Sequence, residues 1–425
     1  MLVVNIPFGD SKIIATIPNC IGISEPMYVK PSKSQEEAIH KAVLTPIGTR
    51  KLSEIAREKT TAAIVIDDLT RPCPTKIMVE EILKELHLGG IKDENIALVV
   101  ATGNHRAMTE QEFEMILGTK ICSKLKHINH NCLDSSSLKY YGITKMGVPV
   151  YVNKVVAEAD VKITTGLITP HQGAGFSGGR KSIIPGISGL ETLHIHHSFP
   201  IRSFEPSMGR IHGNPFHEEA LEGAKMVGVD FILNVVTNLN NEVMYAVAGD
   251  IEEAFYAGVK LSRRLWEVPI ERLADVVITS PGGYPRDIDL HQAEKAVASA
   301  ELAIKESGII ILVAECRDGI GKFGEWLKEA ESPSDVIERF KREGFTQEAS
   351  SKAFMYARAM SKHKLIIVNK SIAKEELRSM FFIPAESIDE AIQIALKEKG
   401  NEAEFLVMPH GSEIIPKVKG VKIDE

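Results

Sequence analysis

Residues 62–90 read Ala62-Ala-Ile-Val-Ile66-Asp67-Asp68-Leu-Thr70-Arg71-Pro72-Cys73-Pro-Thr75-Lys76-Ile-Met-Val-Glu-Glu-Ile-Leu-Lys-Glu-Leu-His-Leu88-Gly89-Gly90. The first five are an uninterrupted apolar run rich in Ile and Val, as a strand covered on both faces should be. Thr75 can cap a helix over Lys76–Leu88, which Gly89-Gly90 closes. The next apolar run, Ile96–Ala101, completes a strand–helix–strand unit, and Thr102-Gly103-Asn104-His105-Arg106 follows it. Working outward, further strands are expected at Val161–Thr165, Phe231–Val236, Val276–Thr279, Ile309–Val313 and Leu365–Val368. Ser34…Glu37, Thr109…Glu112 and Ser188…Glu191 fit the capping box that opens a helix. Alternation on this scale predicts an α/β fold with mostly parallel sheets. Leu2–Pro7 and Ile13–Ile17, split by Gly9-Asp10, predict a small β unit at the start.

At 425 residues the chain exceeds a typical single core, so two domains are expected. The boundary falls near Leu265-Trp266-Glu267-Val268-Pro269, giving residues 1–268 and 269–425. A hydrophobic share of 44%, a charged share of 25% and a net charge of -7 describe an ordinary globular protein and argue against a nucleic-acid surface. The N-terminus lacks a basic region and a long apolar stretch, and no run could span a bilayer. Five scattered cysteines without a CxxC pair suggest neither a disulfide framework nor a thiolate zinc site. A reducing cytoplasm is the expected location. Cys73, near Arg71, reads as a buried spectator thiol.

The polar motifs fall after strands, where open α/β sheets bind ligands. They are Asp67–Pro72, Thr102–Arg106, the segment from His171 onward, and Ser280-Pro-Gly-Gly-Tyr-Pro-Arg286-Asp287. One composite site in the interdomain cleft is therefore expected. The richest stretch is His171-Gln172-Gly173-Ala174-Gly175-Phe176-Ser177-Gly178-Gly179-Arg180-Lys181-Ser182. Its glycines can turn backbone N–H groups toward an anion beside a cation. It formally matches GxGxxG, yet Pro185-Gly186 break the chain where a dinucleotide loop should enter a helix. Glu191 lies at roughly the distance of a ribose-binding acid. Arg180 also spoils the Gly-Lys-Ser of a phosphate-binding P-loop. Lys181 can serve as a point charge or a nucleophile. His194 and His197 are expected one turn apart on one helix face, with His196 on another, a modest signal for metal. His105 and His171 suit an acid–base pair on opposite faces of a substrate. Gln292 and Lys295 share a helical face. With Arg71, Lys295 is a candidate partner for a carboxylate or phosphate. The Asp67-Asp68 pair could hold sugar hydroxyls or cap the turn into Pro72.

Together, Asp68-Leu-Thr-Arg71-Pro72, Thr102-Gly-Asn-His105-Arg106, His171…Gly175-Phe-Ser-Gly-Gly-Arg-Lys181, His197, and Pro281-Gly-Gly-Tyr-Pro-Arg-Asp287…Gln292-Ala-Glu-Lys295 closely resemble the nickel-pincer-nucleotide lactate racemase family, over nearly the whole chain. The resemblance implies racemisation or epimerisation of a 2-hydroxy acid by reversible hydride transfer through a 2-keto acid. It implies a nickel-pincer nucleotide (pyridinium-3-thioamide-5-thiocarboxylic acid mononucleotide carrying Ni) and cofactor-biosynthesis proteins for maturation. In this sequence Lys181 would be joined to the cofactor and His197 would ligate nickel. His105 and His171 would be acid and base, and Arg71, Gln292 and Lys295 would hold the substrate. Ser177, Gly178 and Gly179 would cradle the cofactor phosphate, with Asp68 on the ribose. The chain departs from the family at Gln172-Gly173, where lactate-acting members tend to carry a bulky aromatic, and at His291, where a tyrosine is expected. These departures imply a substrate larger or more polar than lactate, such as malate or a sugar acid. A nicotinamide-dependent hydroxy-acid dehydrogenase and a non-catalytic nickel- or nucleotide-binding protein are the alternatives. The roles of His194, His196 and His291 stay open.

Overall fold

The computed structural model describes residues 1–346 and 348–420. All seven strands expected beyond the N-terminal unit are present, and they form the centres of two six-stranded sheets. In the first sheet the order is Val243–Gly249, Phe231–Thr237, Val161–Leu167, Ala62–Ile66, Ile96–Val100 and Lys126–Asn129. Every pair is parallel except the first, which is antiparallel. In the second sheet the order is Ile383–Ala385, Lys364–Val368, Ile304–Val313, Ala274–Thr279, Phe405–Met408 and Cys20–Ile23, all parallel.

The apolar run that opened the sequence reading shows why these strands are so uniformly hydrophobic. All five residues of Ala62–Ile66 are buried, but they serve two cores. Ile64 and Ile66 pack with Ile39, Met78 and Ile82 on one face. Ala63 and Val65 face the other, in a core that includes Ala224, Phe255 and Val259. The two-residue period of a strand divides its side chains between helices on both sides. The second sheet repeats the device. Ile309, Ile311 and Val313 meet Ile388 and Ile392, whereas Ile310 and Leu312 join the core that also holds Ala63 and Val65. That core runs through Trp266 and Val268 and welds the two halves together.

Three local expectations need correction. The division at residue 268 differs from sheet membership at the N-terminus. The hairpin Leu2–Phe8 and Ser11–Ile17 packs Ile6 and Ile17 into the second sheet's core, and Cys20–Ile23 is that sheet's edge strand. Hydrogen bonds from Gly9 N to Asp287 Oδ2 at 2.7 Å and from Ser280 Oγ to Pro7 O at 2.7 Å fasten the hairpin there. Thr75 begins its helix, Thr75–Leu88, but Pro74 is the N-cap and no side chain caps it. Ser188 does not cap the helix Leu190–His196 either; Gly189 does, without a side-chain bond. Ser188 is held instead in a β-bridge to Val152 with its hydroxyl on Pro185 O. The box at Thr109 is formed as expected, and Ser34 caps its helix through Glu37 N without the reciprocal bond.

Candidate active site

A cavity of about 460 Å³ lies between the two sheets, beyond the carboxyl ends of the first sheet's strands. The loops after Ala62–Ile66, Ile96–Val100 and Val161–Leu167 supply Arg71, His105 and the glycine-rich segment with His171 and Lys181. The other half supplies His291, Gln292 and Lys295 from the first turns of the helix Leu290–Ala300, capped by Asp289 on Gln292 N. Ser177, Gly178 and His197 also line the cavity. Asp68 and Gly179 are not on its wall, for reasons visible in their bonds.

Asp68 Oδ2 receives His105 Nδ1 at 2.8 Å, and its Oδ1 is taken by Thr70. Burial alone would raise this carboxyl, but the bonds from His105 and Thr70 outweigh it and hold it below its ordinary value. With Nδ1–H given to Asp68, His105 turns Nε2 outward as its exchangeable position. Asp68 is thus an orienting group for an imidazole, rather than a free hydroxyl-binding acid. Gly179 points its N–H at Asn234 Oδ1, 2.9 Å away.

His171 is fixed differently. Its Nδ1 accepts from the backbone N–H groups of Gly173 and Ala174, each at 3.1 Å, so the ring proton of the neutral imidazole lies on Nε2. Nε2 is 2.8 Å from Lys181 Nζ, which must then offer its lone pair. Burial, reinforced by surrounding cations, drives both groups toward neutrality. His171 falls well below the usual imidazole value, through burial first and then Lys181, Arg202 and Arg71. Lys181 falls well below the usual amine value, through burial first and then Arg71, Arg180 and Arg202. A neutral amine is a nucleophile.

The loop around Lys181 is rigid. Arg180 is buried, donates to Gly178 O and Ala174 O at 3.1 and 2.7 Å, and stacks 4.2 Å over Phe255. Gly178 has φ +78°, and a Cβ there would lie 2.7 Å from Ile168, so only glycine fits. Ser177 Oγ donates to Leu167 O at 2.6 Å and accepts from Thr169 N at 3.0 Å. After Gly179–Ser182 the chain makes one short 3-10 turn and no long helix, which removes the dinucleotide-loop reading; Glu191 is exposed.

Among the three clustered histidines, His197 alone lines the cavity. Its Nδ1 donates to Leu193 O at 3.1 Å, leaving the Nε2 lone pair for a ligand. His196 is fully buried, bonded to Phe216 O at 2.9 Å and pushed by burial to about 3. His194 packs edge-on against Phe345. No group of three or more His, Cys, Asp or Glu side chains able to hold a metal occurs among the described residues. Any ion at His197 must therefore bring other ligands with it. The Cys73 thiol is raised well above its usual value, chiefly by burial, and stays protonated.

On the substrate side, the Arg71 guanidinium makes no hydrogen bond or ion pair with the protein among the described residues, and Arg71 lines the cavity. Lys295 Nζ donates to Gln292 Oε1 at 2.8 Å and is lowered to about 8 by burial, then by Lys352 and Arg71. His291 is pushed to about 3, again chiefly by burial. Sequence reasoning missed Arg202, Ser351, Lys352 and Glu413, and passed over Asp67 as half of a pair. All five line the cavity. Arg202, Ser351 and Lys352 sit in no glycine motif and at no strand end, the signals that found the others, whereas Glu413 follows His410-Gly411 after the strand Phe405–Met408, a signal that could have found it.

Matches to known proteins agree with this layout. The family model described as the lactate racemase N-terminal domain matches residues 8–209, and that described as the lactate racemase C-terminal domain matches residues 270–416. The chain belongs to the lactate racemase family. Lactate racemase of Thermoanaerobacterium thermosaccharolyticum is 34% identical over 98% of this chain and 99% of that protein. Lactate racemase of Lactiplantibacillus plantarum is 32% identical over 98% of this chain and 100% of that protein. The solved lactate racemase apoprotein from T. thermosaccharolyticum superposes with a TM-score of 0.90, covering 98% of this chain and all of that one. A Thermotoga maritima crystal structure, 20% identical with a TM-score of 0.65, shares the fold. No helix among the described residues is long and apolar enough to cross a membrane.

Proposed function

We propose that this lactate racemase family isomerase interconverts the stereoisomers of a 2-hydroxy acid, using a nickel-pincer nucleotide attached at Lys181. One observation carries the reading. A lysine kept neutral by burial shares a cavity with an imidazole whose Nε2 is free for a metal and with His105 and His171. The residues fit such a group: Lys181 supplies a nucleophilic amine, and His197 supplies one nitrogen where the protein alone offers too few ligands. When bound, the group would supply a hydride acceptor and donor, with Lys181 and His197 as the residues that would hold it.

The remaining chemistry belongs to the chain. Arg71 and Lys295 hold the substrate carboxylate, and Gln292 steadies the Lys295 ammonium. His105, backed by Asp68, takes the hydroxyl proton at Nε2, and the carboxylate stabilises the imidazolium that results. His171, held by two backbone N–H groups, serves the opposite enantiomer from the other face. Ser177 and Gly178 line the wall assigned to the cofactor phosphate. Removing hydrogen as hydride avoids building negative charge beside a carboxylate. Maturation would require cofactor-biosynthesis proteins.

The test is intact mass and nickel content of protein co-produced with those biosynthetic enzymes, with Lys181→Ala as control. An adduct and stoichiometric nickel in wild type, and no adduct in the variant, are expected. Unmodified mass and no nickel, under conditions that load a known family member, would overturn the covalent reading.

A further inference from the structure

Arg202 is a buried cation that the reaction outlined above leaves without work. It is 8% exposed and reaches the cavity from the irregular segment after Leu190–His196. Its Nε and Nη2 both donate to Ser351 Oγ, at 2.9 and 2.6 Å. The guanidinium lies 5.3 Å over Phe216, whose ring also packs against His171 and His197, at 6.5 and 4.9 Å between centroids. Its third nitrogen, Nη1, is buried and has no hydrogen-bond partner among the described residues. The carboxylate of Glu294 is committed to Lys352 at 2.6 Å. Glu294 therefore reaches Arg202 only through space, and the guanidinium's direct contacts among the described residues are a neutral hydroxyl and a ring face, with Nη1 unbonded.

Gly173 explains how the guanidinium comes to be there. A Cβ at that position would stand 2.0 Å from Arg202 Nη1, a distance no side chain could tolerate. The place beside His171 that a residue at 173 would fill is occupied by Nη1.

We propose that Arg202 is a specificity-determining residue, and that the 2-hydroxy acid carries a second carboxylate, which Nη1 receives. This rests on the racemase reading above and names its substrate class. Arg71 and Lys295 already suffice for the carboxylate that every 2-hydroxy acid possesses. Hydroxyl groups of a sugar acid would call for neutral partners that both donate and accept. A guanidinium only donates, and the several kcal/mol lost in desolvating it are offset by an anion. The other anion such a pocket could meet is a cofactor phosphate. Arg202 shares the Phe216 ring with His171 and His197, while Ser177 and Gly178 carry the phosphate in the reading above, which favours the substrate.

The experiment uses the cofactor-loaded enzyme, with wild type, Arg202→Met, Arg202→Lys and Gly173→Ala compared side by side. Turnover is measured on malate and lactate, and calorimetry records binding of succinate and propionate, which lack the reacting hydroxyl. Wild type should prefer malate, and succinate should bind more tightly than propionate. In Arg202→Met, kcat/KM for malate should fall at least 10-fold further than for lactate, mostly through KM, and the succinate preference should vanish. Arg202→Lys should recover part of it. Gly173→Ala should reproduce the loss with Arg202 still present. A wild type that prefers lactate, or equal losses on both acids, would overturn the inference. So would cofactor loss from Arg202→Met by mass, since the arginine would then hold phosphate. If the loaded wild type racemises neither acid but keeps an Arg202-dependent succinate preference, the racemase reading fails and the arginine's role stands.

Discussion

Two regions of this molecule bury positive charge, and they treat it in opposite ways. Between the helices Leu290–Ala300 and Glu348–Lys362, Arg358 pairs with Glu301, each side chain 2% exposed, and Lys352, where this interface meets the cavity, pairs with Glu294 at 2.6 Å. In the cleft, Lys181, Lys295, Arg202 and Arg71 form no ion pair among the described residues. Removing one member of a buried pair strands the other charge, which costs about 3–5 kcal/mol. Leaving cations without carboxylates has its own cost, and here it appears as suppressed basicity: Lys181 falls well below its usual value and Lys295 reaches about 8. The paired charges hold one helix to another. The unpaired ones feel Asp67 and Glu413 only through space and leave their own bonding positions to a ligand.

The sharpest way to break that distinction is to remove the unpaired groups and watch function, not folding. Lys181→Ala should abolish the covalent adduct and turnover outright while the melting temperature holds or rises, because a buried amine has been replaced by a methyl group. A large fall in melting temperature would make Lys181 structural. Next come the histidines. Alanine at His105 or at His171 should cost about 10²–10⁴ in kcat with cofactor still attached, read from steady-state rates and intact mass on the same preparations. Equal loss of cofactor and activity in both would instead favour a carrier protein.

The paired region should answer the other way. Glu301→Gln should destabilise the fold by about 3–5 kcal/mol in denaturant melts and leave KM near wild type. Lys295→Met should leave stability unchanged or raised, and should raise KM. If Lys295→Met proves as destabilising as Glu301→Gln, the contrast between the two regions is wrong.

The same contrast explains what the sequence could and could not reveal. Parallel strands such as Ala62–Ile66 are legible because a strand buried on both faces must be apolar throughout. The short edge strands Cys20–Ile23 and Ile383–Ala385 carry no such run, and the first pairs with Phe405–Met408, hundreds of residues away. His105, His171 and Lys181 stand in loops after strands, where glycine and histidine mark the position. Asp68 was legible as a site residue but not in its role, since only the fold brings His105 across 37 positions to its carboxylate. Arg202 was invisible: a lone arginine in an irregular segment gains meaning only when Gly173, Phe216 and Ser351 converge on it.

The smallest expected effect is the most diagnostic, because it titrates an unpaired charge directly. Lys295 loses its proton near 8 in the folded protein, against an ordinary 10.5. A depressed amine value means that the unfolded chain binds more protons between those two limits. The group's destabilising contribution is therefore fully present below pH 8 and is relieved as pH rises toward 10.5, on the order of 3 kcal/mol. Substrate binding should run the opposite way, since the ammonium that holds a carboxylate disappears over the same range. KM should be flat below pH 8 and rise above it, levelling off where Arg71 alone remains. Lys295→Arg keeps its charge throughout and should push the rise in KM up by more than one pH unit. Lys295→Met should flatten both profiles at once. A wild-type KM that stays constant to pH 10 would mean that Lys295 does not meet the substrate, and the cleft's unpaired charge would then have to be counted without it.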